Sequence, residues 1–338
     1  MTRAMMQGLR LVALMAALAF PAASARADSG NAGLTAAAFL AVPPGASAPG
    51  MAGTTIALRG DLSAAESNPA SLGWVPDLRL ALSHSQLPDG SRHEWASVGG
   101  NLGVVPTRWA LSGLYVGQSP FEGRDGLNQP IGNFSASSVA IGLALAQPLG
   151  RHAGLGLGTT FVSENLASTR GTGVTFDAGL IACAGMLAFG ASAQNAGGSM
   201  LYDGARYGFP TNYGAGVALE HPSGLRLEVD ANFPESYYND VRAGVEYRWR
   251  ERIALRAGYR LELTSASPTE SLTGLSFGMG AGVAGLWLDY AYLPSGLGGD
   301  NQRLGIVLYR AKARSAPGAL ETRSGPQTPA TTRERKPE

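Results

Sequence analysis

The sequence predicts an all-β protein: a transmembrane antiparallel β-barrel of about fourteen strands with an N-terminal plug, or hatch, segment. Three observations predict it. Apolar and polar residues alternate strictly, long and short connections alternate regularly, and an export-type leader is followed by no segment fit to be a membrane helix. The alternation is clearest over residues 225–264. Leu225, Leu227, Val229, Ala231 and Phe233 interleave with Arg226, Glu228, Asp230 and Asn232. Val241, Ala243, Val245, Tyr247 and Trp249 interleave with Arg242, Gly244, Glu246 and Arg248, and Ile253, Leu255, Ala257, Tyr259, Leu261 and Leu263 with Arg256, Gly258, Arg260 and Glu262. Successive side chains of a strand point to opposite faces, so each run has one apolar and one charged face. A short loop at 234–240 and the tight turn Arg250-Glu251-Arg252 join the runs into a meander.

The 338 residues carry 47 glycines, 15% charged residues and a net charge of +1. Glycine is far above average usage and charge well below it, which fits neither a disordered chain nor a helical membrane protein. No global field draws the chain to nucleic acid. The single cysteine, Cys183, rules out an internal disulfide and any cysteine metal cluster.

In chain order, residues 1–27 read as a secretory signal. Arg3 and Arg10 charge its start, Leu11 to Phe20 is apolar, and Ala25-Arg26-Ala27 offers a cleavage site. That apolar run falls well short of the ~20 residues a spanning helix needs. Residues 28–73 do not alternate and form the expected hatch. Ala32 to Leu40 is Ala-rich and suggests a short helix, and Asp61 or Ser63 suits the cap of another. The segment is too small to fold alone and needs something to sit in.

Fourteen strands are then expected at 74–86, 91–103, 107–118, 134–148, 152–164, 172–183, 186–196, 211–221, 225–234, 240–249, 253–264, 272–280, 286–293 and 301–310. Connections after even-numbered strands are tight, as at Gly150-Arg151 and Ala184-Gly185, whereas 119–133 and 197–210 are long. Short turns at one rim and long loops at the other are the outer-membrane pattern, with the short turns periplasmic. Several strands carry small residues on one face. Ala140, Gly142, Ala144 and Ala146 are one example, and Gly154, Gly156 and Gly158 another. Small inward residues leave room in a barrel for a plug or a ligand. Trp74, Trp109, Tyr237, Tyr238, Trp249, Tyr292 and Tyr309 sit near strand ends, as an interfacial girdle requires. Residues 311–338 are rich in Pro, Ser, Thr and Arg without an apolar period, and read as a disordered periplasmic tail.

If the apolar faces met each other, the chain would be a soluble sandwich. The leader, the strand lengths, the loop asymmetry and the low charge favour apolar faces on lipid. The lumen then receives Asp177, Arg226, Glu228, Asp230, Arg242, Glu246, Arg248, Arg256, Arg260, Glu262 and Asp289. Ion pairs across the ladder that fill the barrel and grip the hatch are the expected role, and a substrate-conducting ladder is the alternative. No catalytic constellation emerges. His84, His93, His152 and His221 lack metal-ligand spacing; His84 and His93 flank one hairpin, where mutual approach is the alternative to the expected reading as surface loop histidines. No serine sits in a Gly-x-Ser-x-Gly elbow, and Gly154 to Gly158 precedes no helix. The chain is expected to be no enzyme and to need no cofactor or metal.

The run Ala38-Phe39-Leu40-Ala41-Val42-Pro43-Pro44-Gly45-Ala46 through Gly50-Met51-Ala52-Gly53 resembles the opening signature of the PorV/PorQ family, relatives of the FadL-like fatty-acid transporters. Asn68-Pro69-Ala70-Ser71-Leu72 is similar to the family's Asn-Pro-Ala-Gly-Leu motif, with Ser71 in place of glycine. Gln194-Asn195-Ala196-Gly197, Ala243-Gly244-Val245-Glu246-Tyr247, Arg256-Ala257-Gly258-Tyr259 and Leu288-Asp289-Tyr290-Ala291-Tyr292 look like further family blocks. The resemblance implies a fourteen-stranded outer-membrane barrel with a hatch. It implies passage or binding of hydrophobic small molecules or, alternatively, docking in a type IX-like secretion complex. Outer-membrane lipid, a hydrophobic ligand and secretion proteins are the partners it suggests. The candidate binding residues are Asn68, Pro69 and Ala70 of the hatch motif, with Asp177, Arg226, Asp230, Arg242, Glu246, Arg256, Arg260 and Asp289 in the lumen.

Overall fold

The computed structural model describes residues 35–87, 90–103, 105–118, 120–263, 274–294 and 299–309. The leader at 1–27 and the tail at 311–338 lie outside the described residues.

The alternating runs form the wall. In chain order the strands are β1 (Arg79–Gln86), β2 (Arg92–Asn101), β3 (Arg108–Gly117), β4 (Phe121–Arg124), β5 (Pro130–Phe134), β6 (Ala136–Leu149), β7 (Ala153–Leu166), β8 (Thr169–Ala184) and β9 (Leu187–Ala196). They continue as β10 (Met200–Tyr202), β11 (Ala205–Tyr207), β12 (Asn212–Glu220), β13 (Leu225–Pro234), β14 (Asp240–Trp249), β15 (Ile253–Glu262), β16 (Leu275–Val283), β17 (Leu286–Pro294) and β18 (Asp300–Tyr309). Fourteen of them close into one antiparallel ring, because β1 pairs with β18 and β8 pairs with β9. β4 and β5 form a separate hairpin in the long loop after β3, and β10 and β11 form another that adds to β8. Sequence reading missed both hairpins, since strands of three to five residues carry no period to detect.

Orientation follows from exposure. Leu227 is 41% exposed and Leu255 59%, whereas Glu228 and Asp230 are each 1% exposed. The apolar face is therefore outermost, where only lipid satisfies it, and the charged face is inside. The closed ring also leaves no unpaired ladder groups in hydrocarbon. One short rim turn illustrates the tightness. Arg250 and Glu251 both take positive φ (50° and 51°), and the Arg252 N–H donates to the Trp249 carbonyl at 3.0 Å. Two left-handed residues match the twist of the flanking strands.

Inside the ring, residues 36–75 run along the wall as four short 3₁₀ turns, Ala38–Ala41, Pro49–Met51, Ala64–Glu66 and Pro69–Trp74. The Ala-rich stretch therefore yields a single turn rather than a longer helix, and its residues 32–34 lie outside the described set. Asp61 Oδ1 accepts the N–H groups of Ser63 (2.7 Å) and Ala64 (3.4 Å), so Asp61 does the capping, and Ser63 at the cap position makes no such bond. Trp74 is also reassigned. It ends a 3₁₀ turn under the Arg59 guanidinium (5.8 Å) instead of starting β1 or joining a girdle.

The inward glycines explain how this segment fits. A Cβ on Gly156 would overlap the Ala70 nitrogen, one on Gly190 the Ile56 carbonyl, and one on Gly258 the backbone of Met51. Hatch backbone lies directly on strand backbone. The small-residue face seen in the sequence is filled by the hatch.

Candidate functional site

Wall side chains hold the hatch through its own backbone. Asp230 Oδ2 accepts the N–H groups of Thr55 (2.7 Å) and Ile56 (3.1 Å), and Glu228 accepts that of Ala57 (3.0 Å). Ser276 Oγ accepts the Ala52 N–H at 2.7 Å, and Arg242 donates to the Gly53 carbonyl at 3.3 Å. Fully buried Asn68 donates to the carbonyls of Ile56 (2.7 Å) in the hatch, Leu180 (3.2 Å) in β8 and Ala191 (3.4 Å) in β9. Its Oδ1 accepts the Ala70 N–H at 3.1 Å, which caps the turn opened by Pro69.

The remaining lumen charges pair among themselves. Arg256 donates to Glu246 and Asp289, both at 2.6 Å, and Glu246 also meets Arg248 at 3.1 Å and Arg226 at 3.5 Å. Asp240, absent from the sequence-derived set, joins Arg242 at 2.7 Å and Arg260 at 3.0 Å. Near the short-turn rim Arg226, Glu246, Arg248, Arg256 and Asp289 line a polar cavity of about 260 Å³ with Asp61, Arg79 and Glu251. Its basic and acidic groups are matched, so it offers no free charge of one sign.

Asp177 stands apart from that network. It lies at a bulge where the β8–β9 register shifts between Phe176 and Ala178, and it accepts the Asn195 N–H at 2.8 Å. Asn195 takes positive φ (50°) there. Asp177 faces a second, smaller chamber between the hatch residues Leu40, Val42, Pro44 and Glu66 and the wall residues Trp95, Ser112, Leu114, Ala140, Gly142, Thr160 and Asn195. Its free volume is about 30 Å³, room for a water or two. Glu66 accepts the Trp95 indole N–H at 3.2 Å. Burial pushes its carboxyl up to about 7 against the downward pull of the Ser112 and Trp95 hydrogen bonds, and the nearby Asp177 adds to the rise.

Directly outside the same wall is an apolar groove of about 690 Å³, lined by Leu82, Ala96, Tyr115, Val139, Ile141, Leu304 and Ile306. Small residues make it. Ala96 of β2 pairs with Gly113 of β3, which pairs with Ile141 of β6, so the outer surface dips between taller neighbours. Trp95, Leu114 and Ala140 line both the inner chamber and this groove. At one end His84 Nδ1 and Glu94 Oε1 share a hydrogen bond of 2.7 Å. His84 faces outward and His93 is buried inward, so the two stay on opposite faces, and His93 is no surface histidine.

Sequence reading found Asp177, and Ala140 as a small inward residue, but missed Glu66 and Trp95. Trp95 carried a usable signal, as a large aromatic on the otherwise polar face of its strand with His93 and Ser97.

No protein-family model matches the chain, and no curated protein matches it. Solved structures do. The Pseudomonas putida toluene transporter TodX superposes with a TM-score of 0.56 at 13% identity, covering 80% of this chain and 99% of that one. The fold is FadL-like. A Pseudomonas aeruginosa FadL homologue gives 0.54 at 12% identity (79% and 98% covered), and the Ralstonia pickettii toluene transporter TbuX gives 0.52 at 13% (80% and 98%). At such identities the likeness is one of fold.

Proposed function

We propose that this chain is an outer-membrane barrel that passes small hydrophobic molecules, and that the chamber behind β2, β3 and β6 is its transit point. One observation carries the reading. An inner space floored by Leu40, Val42 and Pro44 backs onto an apolar groove on the lipid side, with Trp95, Leu114 and Ala140 common to both. An apolar solute in the chamber is one strand-thickness from a surface that suits it. The chamber as it stands holds a water or two, so transit requires the Phe39–Val42 stretch to shift. That stretch is suited to it, because among the described residues its amides make local 3₁₀ bonds, Leu40 N–H to Ala37 and Val42 N–H to Phe39. The FadL-like fold, shared with toluene transporters, supports the reading. In this role the protein is a conduit and catalyses nothing.

The test is uptake of a radiolabelled aromatic hydrocarbon by cells that express the full chain and lack hydrophobe channels of their own. Uptake several-fold above the empty vector is expected, with most of the gain lost in Ala140→Leu, which fills the chamber. Uptake no better than the vector overturns the proposal. A second reading, a docking platform in a secretion complex of the PorV/PorQ kind, draws on the β4–β5 hairpin, which exposes Phe121, Leu127 and Ile131. Crosslinking from Leu127 in native membranes that yields no partner would count against it.

A further inference from the structure

The passage reading leaves open which molecules enter, and the polar groups around the chamber bear on this. We propose that Glu66 and Asp177 make the chamber selective for neutral hydrophobic molecules, above all those bearing a hydroxyl group, and bar carboxylates. The inference rests on the passage reading and deepens it.

Three observations carry it. First, among the described residues no arginine, lysine or histidine lines the chamber, whereas two carboxylates do. Second, the strong donors present are already engaged by those carboxylates. The Trp95 N–H goes to Glu66 at 3.2 Å, and the Asn195 N–H goes to Asp177 at 2.8 Å. An entering carboxylate would give up its water for a low-dielectric space, find no cation, and face like charge. A hydroxyl group would instead donate to a carboxylate oxygen, a charge-assisted bond stronger than one between neutral groups. Third, the buried guanidinium of Arg303 is engaged elsewhere. Arg303 belongs to β18, outside the chamber lining, and donates to the Pro43 carbonyl. Leu40, Val42, Pro44 and Leu114 supply the apolar surface for the rest of the molecule.

The experiment compares 4-phenylbutanol with 4-phenylbutanoate at pH 7.5, two probes that differ only at the head. Initial uptake is measured in cells expressing the full chain and corrected for the empty vector. The wild type should favour the alcohol by about tenfold or more, the ratio that a modest charge penalty produces. The double variant Glu66→Gln/Asp177→Asn should bring the ratio to about threefold or less by raising butanoate uptake. Either single variant should lie between, which covers the case in which the double variant fails to fold. Equal passage of both probes by the wild type overturns the selectivity while leaving passage intact, as does an unchanged ratio in folded variants. Passage of neither probe overturns the passage reading and this inference with it.

Discussion

At the residue scale, Asn68 concentrates more of the architecture than any other side chain in the hatch motif. It is fully buried, and its amide joins three carbonyls on three separate segments while capping a turn. Truncation removes the cap, worth about 1 kcal/mol, and strands the hatch carbonyl of Ile56, at about 1–3 kcal/mol. Asn68→Ala should therefore cost roughly 2–4 kcal/mol, and Asn68→Asp more, because a carboxylate would face those carbonyls. Urea unfolding followed by tryptophan fluorescence in lipid vesicles checks the order. An Asp variant as stable as wild type would show that the amide does not make these bonds. The motif was legible in the sequence, but its partners were not, since they lie 112 and 123 residues away on strands whose register the motif does not encode.

At the scale of elements, the wall was legible and the turns within the hatch were not, for one physical reason. A strand announces itself by a period of two sustained over about ten residues, as in β13 and β14. Turns of three to six residues, such as Ala64–Glu66 and Pro69–Trp74, complete too few cycles to leave a pattern. Their path is imposed by the wall, through carboxylates that accept hatch amides. Asp230→Asn together with Glu228→Gln removes the charge from three such bonds, each worth about 1.5–3 kcal/mol when charged. The ring itself should persist, seen as an unchanged heat-modifiable band on gels, while protease cleaves between Gly45 and Gly60 several-fold faster. Cleavage at the wild-type rate would show that other contacts hold the segment.

For the whole molecule, the ring is lopsided. β8 has 16 residues and β1 has 8, a difference of roughly 25 Å along the strand. The excess of β8 rises beyond its pairing with β9 and is backed by β10 instead. The lumen beneath is filled by the hatch, held by packing and by hydrogen bonds from wall side chains. A chain lacking residues 35–73 should insert as a ring with a wet, charged bore and conduct ions across planar bilayers, whereas the full chain stays silent. A folded deletion variant without conductance would mean that wall side chains close the bore unaided. The contact of Gly156 with Ala70, and of Gly190 with Ile56, has a further consequence for how this sequence can drift. With no side chains between the two surfaces to act as padding, a methyl group gained on the wall becomes a wedge, and distant stretches of the chain are bound to vary together or to stand still.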